Sequence, residues 1–185
     1  MRRFFGRKLI DYKHFVSLIG FTAKAHQEKV LPKAKAFRTF SGGEQNPYFT
    51  HSLWCATMIL LDTQLPEKIR VPGAEALLLH DVIEDTSASL PKNISDEVRY
   101  FVKEMTYAGG FNEEKTAVLL KPPIIQLLKL YDKTATLYDG DIKKARYGEW
   151  TEFMQKIINA VEPNYGTLNI ILLARELIKK YQNMS

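Results

Sequence analysis

The stretch Leu77-Leu78-Leu79-His80-Asp81-Val82-Ile83-Glu84-Asp85-Thr86 decides how this chain is read. An apolar run leads directly into four residues able to bind a metal or move a proton. Positions three and four apart share one side of a helix. Helical geometry therefore predicts Glu84 one turn beyond His80, and Asp85 one turn beyond Asp81. Two candidate ligands would then stand beside two carboxylates on a common face.

Working outward, an adjacent His-Asp pair needs distant partners to complete a metal shell. Upstream, His51 follows Pro47-Tyr48-Phe49-Thr50; downstream, Asp132 sits in Leu127-Leu128-Lys129-Leu130-Tyr131-Asp132-Lys133. Burying a lone carboxylate in such an apolar neighbourhood costs several kcal/mol unless it is paired or coordinates a metal. Two readings of Asp132 follow: a metal ligand, or a salt bridge to Lys129 or Lys133. Two imidazoles and two carboxylates suit Mn²⁺, Fe²⁺, Zn²⁺ or Mg²⁺, and ligand type alone does not select among them.

The order His, His-Asp, Asp resembles the HD superfamily of metal-dependent phosphohydrolases. The longer pattern Leu78-Leu79-His80-Asp81, then Glu84-Asp85-Thr86, resembles the hydrolase domain of RelA/SpoT-type enzymes, which cleave the alarmone ppGpp, and their small stand-alone relatives. The resemblance covers roughly residues 15 to 140. It implies His51, His80, Asp81 and Asp132 as metal ligands, manganese as the ion, and Glu84 and Asp85 as the catalytic pair. The implied reaction removes pyrophosphate from the 3′ position of a guanosine nucleotide.

Other assignments come from the same resemblance. Arg38, ahead of Pro47-Tyr48, matches an arginine that stacks on the purine base; the alternative is a mobile basic loop. Tyr48 joins it as a substrate-binding residue. His26, closing Ala23-Lys24-Ala25-His26, either supports the metal site from behind or is a structural helix-end histidine. The pattern also departs. Where the family has Asp-x-x-x-Asn-Leu, this chain reads Asp132-Lys133-Thr134-Ala135-Thr136-Leu137, so Thr136 offers a hydroxyl in place of an amide. Asp139 stands where the family has a threonine, and an acid there would repel a phosphate unless screened.

The totals fit this reading. A chain of 185 residues is most simply one domain, spanning 1–185, with enough length for a full core. Apolar and charged fractions of 45% and 25% are ordinary globular values and argue against disorder. The single cysteine, Cys55, excludes an internal disulfide and fits a reducing compartment. No secretory signal and no membrane-length apolar run is present, so a soluble cytoplasmic protein is expected. The net charge of +5 is scattered rather than interleaved with stacking aromatics. A small nucleotide is the expected partner; a nucleic-acid polymer or a membrane is not.

Apolar spacing predicts an all-α bundle, an HD-type helical domain around one metal site. Helices are expected over residues 9–28, 48–62, 72–85, 113–120, 124–138, 141–158 and 166–182. Another is expected after Ser95, a good cap followed by acids in the first turn. Pro72 is expected to open the third helix, which should be central. Residues 29–47 read as loop, punctuated by Pro32, Gly42, Gly43, Asn46 and Pro47. Pro163 to Gly166 reads as the last break.

Three functions fit. The leading one is a metal-dependent hydrolase of ppGpp-like guanosine polyphosphates. The second is an HD-type nucleotidase or deoxynucleotide triphosphohydrolase, favoured by Thr136 and Asp139. The third is a non-catalytic nucleotide-sensing module, against which the full ligand set and the acid pair both argue.

Overall fold

The computed structural model describes residues 11–40, 42–140 and 142–184. The start of the first expected helix at Leu9 and Ile10, Ser41 of the expected loop, and residue 141 lie outside them. Nine α-helices form among the described residues: α1 (Tyr12–Glu28), α2 (Phe49–Leu61), α3 (Glu67–Leu79), α4 (Val82–Asp85), α5 (Asp96–Met105), α6 (Gly110–Ala117), α7 (Pro123–Asp139), α8 (Tyr147–Tyr165) and α9 (Asn169–Gln182). A single antiparallel hairpin, β1 (Phe37–Thr39) with β2 (Gln45–Pro47), pairs Arg38 with Asn46. The all-α expectation holds apart from this hairpin.

α3 and α7 share the centre. α3 packs on α1, α2 and α5, while α7 touches α2, α5, α8 and α9. α7 is buried over most of its length, which follows from apolar residues on nearly every side of it. Gly73 lets these elements close up: a methyl group there would stand 2.7 Å from Ile59 Cδ1 and 3.1 Å from Leu128 Cδ2. Buried Asp62 ties three elements together. It accepts from the Tyr131 hydroxyl at 3.0 Å and from the Ile170 amide at 3.4 Å, near the start of α9.

The ends of elements follow local chemistry. Ser95 Oγ accepts from the Val98 amide at 3.1 Å, the expected cap of α5. Ser95→Ala is expected to cost about 1 kcal/mol, measured by urea unfolding monitored by circular dichroism. α7 stops at Gly140, whose φ of 76° is left-handed and suits glycine.

Four boundaries differ from the sequence reading. α3 begins at Glu67, behind the extended residue Pro66, so Pro72 lies inside the helix rather than opening it. The helix does not run unbroken to Asp85; it ends at Leu79, and α4 follows as a separate turn. Residues 29–47 are not bare loop. Beyond the hairpin, Val30 bridges to Thr86, and the Leu31 amide donates to the Asp85 carbonyl at 2.8 Å. Finally, the helix expected over 141–158 runs from Tyr147 to Tyr165, with Pro163 inside its last turns, and the break falls at Gly166. No described helix is long and apolar enough to cross a membrane.

Candidate metal centre

The break between α3 and α4 builds the site. Consecutive positions on an unbroken helix point about 100° apart, so His80 and Asp81 could not readily serve one cluster. Here His80 Nδ1 lies 2.7 Å from the Leu77 carbonyl, a group the next helical turn would otherwise use alone. Asp81 has φ −86° and ψ −6°, still right-handed but flattened from ideal helical values. His80 Nε2 and Asp81 Oδ1 are left 3.1 Å apart. The Leu77 contact also fixes the imidazole, with Nδ1 as donor and Nε2 as the free ligand atom.

α2 and α7 supply the rest. Ligand atoms of His51, His80 and Asp81 lie within 4.8 Å of one another, all three side chains buried. Asp132 Oδ1 stands 3.1 Å from His51 Nε2 and 3.6 Å from His80 Nε2. Three of the expected ligands thus form one cluster, and Asp132 borders it through the two imidazoles. The salt-bridge reading of Asp132 holds for its other oxygen, Oδ2, which meets Lys129 Nζ and Lys133 Nζ, each at 3.1 Å.

The donor set fits a divalent cation. His80 Nε2 and Asp81 Oδ2 are buried without a hydrogen bond of good geometry, and buried polar atoms are rarely left so. Burial, reinforced by Arg38, pushes the His51 imidazole down to about 4, the neutral form a metal requires. His80 is the opposite case: burial opposes its charge, but Asp81 and Asp132 hold it up to about 9. That proton supplies positive charge which a divalent ion would replace. Burial also works against ionisation of Asp132, yet Lys133, Lys129 and His80 hold it well below the usual carboxylate range.

The cluster opens on a cavity of about 330 Å³, within the range of small-ligand sites. Glu84 and Asp85 line it. Glu84 Oε1 accepts from the Tyr107 amide at 2.6 Å, and burial raises its carboxyl. Asp85 is pushed up to about 7 by burial, with Asp81 and Glu84 adding like charge. Tyr48 and Thr136 line the same cavity, Tyr48 at the start of α2 and Thr136 one turn beyond Asp132. The Thr136 hydroxyl donates back to the Asp132 carbonyl at 3.3 Å.

Arg38 also lines the cavity but is only 4% exposed. Its Nε lies 2.8 Å from Asp139 Oδ2, an ion pair without good hydrogen-bond geometry, and its guanidinium carbon is 5.6 Å from the centre of the Tyr48 ring. Asp139 is therefore screened, which removes the repulsion that its position in the sequence suggested. His26 is buried behind Tyr48, ring centres 5.5 Å apart, and makes no hydrogen bond to the four converging side chains.

Sequence reasoning missed the far wall: Tyr107, Phe111, Glu114 and Trp150, with Lys129 and Lys133. The lysines carried a signal, since two cations on the apolar helix around Asp132 need buried partners. Glu114 carried none, because an acid on a short polar helix ordinarily faces water.

No family model matches the chain, and no curated protein does. Among solved structures, it is similar to a chain described as a metazoan ortholog of SpoT that hydrolyzes ppGpp and plays a role in starvation responses. The two superpose with a TM-score of 0.68 at 20% identity, over 90% of this chain and 94% of the other. The polypeptide described here has the helical fold of that SpoT ortholog.

Proposed function

We propose that this chain, as one domain, is a metal-dependent phosphohydrolase acting on ppGpp-like guanosine polyphosphates. One observation carries the reading: His51, His80 and Asp81 cluster with Asp132 against both imidazoles, and the cavity that His51, Asp81 and Asp132 line also holds the acid pair Glu84 and Asp85. The shared fold with a protein described as hydrolyzing ppGpp supports it.

His51, His80, Asp81 and Asp132 would hold the ion, with Mn²⁺ as the proposed metal and Fe²⁺, Zn²⁺ or Mg²⁺ as competitors. When bound, it would supply charge to polarise a phosphoryl oxygen and lower the pKa of water. Asp85, with its carboxyl near 7, is suited to take a proton at neutral pH and return it to a leaving oxygen. Glu84, anchored by the Tyr107 amide, stands beside Asp85 and adds to the effect of burial and Asp81 that raises that carboxyl. Lys33 and Lys35, exposed lysines that line the cavity, add positive charge that would favour phosphate. Arg38 and Tyr48 would take the base and Thr136 the nucleotide's polar edge, while His26 supports Tyr48 from behind. Water adds across one phosphate–oxygen bond, giving pyrophosphate and a nucleotide with a free 3′-hydroxyl.

Purified protein supplied with Mn²⁺ is expected to release pyrophosphate from ppGpp. Absence of hydrolysis with all four metals, across guanosine polyphosphates, nucleoside monophosphates and deoxynucleoside triphosphates, would defeat the proposal. A second reading, a different nucleotide substrate, draws on one feature: Asp139 engages Arg38, and Thr136 turns its hydroxyl back to its own helix. Preferential turnover of another nucleotide in the same panel would select it.

A further inference from the structure

α6 brings one acid to the site that no motif marks. Glu114 is 4% exposed, and its carboxylate meets two ammonium groups of α7. Lys129 Nζ lies 2.8 Å from its Oε1 and Lys133 Nζ 2.7 Å from its Oε2. Both lysines also meet Oδ2 of Asp132, Lys129 through a hydrogen bond. Two ammonium groups and two carboxylates close a ring whose formal charges cancel. Cancellation of this kind allows such a ring to be buried.

The ring divides the labour of Asp132. Oδ2 faces the lysines, and Oδ1 faces His51 and His80. Lysine side chains are long and rotamer-rich, so sequence position alone does not hold them in one geometry. Glu114 engages one lysine with each oxygen, from a different helix. Without its charge, two buried ammonium groups would share a single carboxylate. The electrostatically cheapest repair draws the second oxygen of Asp132 toward the lysines and away from the imidazoles.

We infer that Glu114 is a positioning residue: through Lys129 and Lys133 it orients Asp132 so that Oδ1 is kept for a metal ion. The inference rests on the metal reading above. It concerns a carboxylate that reaches Asp132 only through the two lysines.

The test compares the parent, Glu114→Gln and Glu114→Asp. Mn²⁺ affinity is measured by titration calorimetry, and amine acylation of Lys129 and Lys133 in the metal-free protein is followed by mass spectrometry. Circular dichroism establishes folding. Glu114→Gln is expected to weaken Mn²⁺ binding by about 10–100-fold, the usual effect of losing a group that orients a ligand, and to raise acylation of Lys133. Glu114→Asp keeps the charge but shortens the reach, and is expected to recover part of the affinity. Should the glutamine variant not fold, the aspartate variant carries both measurements, with weaker binding and greater labelling than the parent expected. Parental Mn²⁺ affinity in a folded variant overturns the inference alone. Weakened binding with both lysines still protected also overturns it, because the effect then bypasses them. A parent that binds no divalent metal overturns the metal reading, and this inference with it.

Discussion

Replacing His80 with alanine is expected to strip the protein of its divalent ion and slow pyrophosphate release by about 10³-fold. A metal supplies several kcal/mol of charge stabilisation, and each ~1.4 kcal/mol is a factor of ten. His80 is the residue to choose because its ring is committed on both sides. Nδ1 is held at the Leu77 carbonyl, and Nε2 faces Asp81 at 3.1 Å and Asp132 at 3.6 Å. His51 cannot take its place, since it belongs to another helix and already faces Asp132. Metal content by mass spectrometry, with a pyrophosphate assay on the same preparation, checks the result. Full metal occupancy in a folded His80→Ala protein would remove the centre from the functional account.

The second large effect is expected at Asp85. Asp85→Asn should lower kcat by about 10²–10⁴-fold, the range for losing a general acid-base group, while leaving Mn²⁺ bound. The carboxyl is raised to about 7 by burial and by the charges of Asp81 and Glu84. A raised acid also has a consequence for stability. Unfolded, Asp85 ionises near the ordinary carboxylate value; folded, it resists ionisation until about 7. Stability contributed below the unfolded value is thus lost as pH rises toward 7. The metal-free asparagine variant should therefore gain on the parent between pH 4 and pH 8. Urea unfolding at both pH values, beside single-turnover assays with Mn²⁺, measures the two effects on one protein. A variant slow in turnover yet at least as stable at pH 8 is the signature of an acid kept for chemistry rather than for folding. Unchanged kcat would assign the proton transfer elsewhere.

Much of this was legible along the chain because local rules suffice for it. Helical periodicity placed α2, α5 and α7 within a few residues, and Ser95 caps α5 as its side chain dictates. The residues that converge were nameable too. His51, His80, Asp81 and Asp132 carry chemistry that an apolar surrounding does not tolerate without a reason.

What sequence could not supply is anything set by partners from distant elements. The end of α3 at Leu79 follows from a short-range contact, yet it matters only because α2 and α7 bring His51 and Asp132 to the same point. Asp139 read as a repulsive charge until the hairpin placed Arg38 2.8 Å away. Glu114 carries no mark in the sequence, and its role appears only where α6 folds it against Lys129 and Lys133. Periodicity is a property of neighbours along the chain and determined the helices, while the ligand candidates came from the motif's resemblance to a known family. The charge state and direction of each ligand depend on burial and on ions several angstroms away, and only packing fixes those.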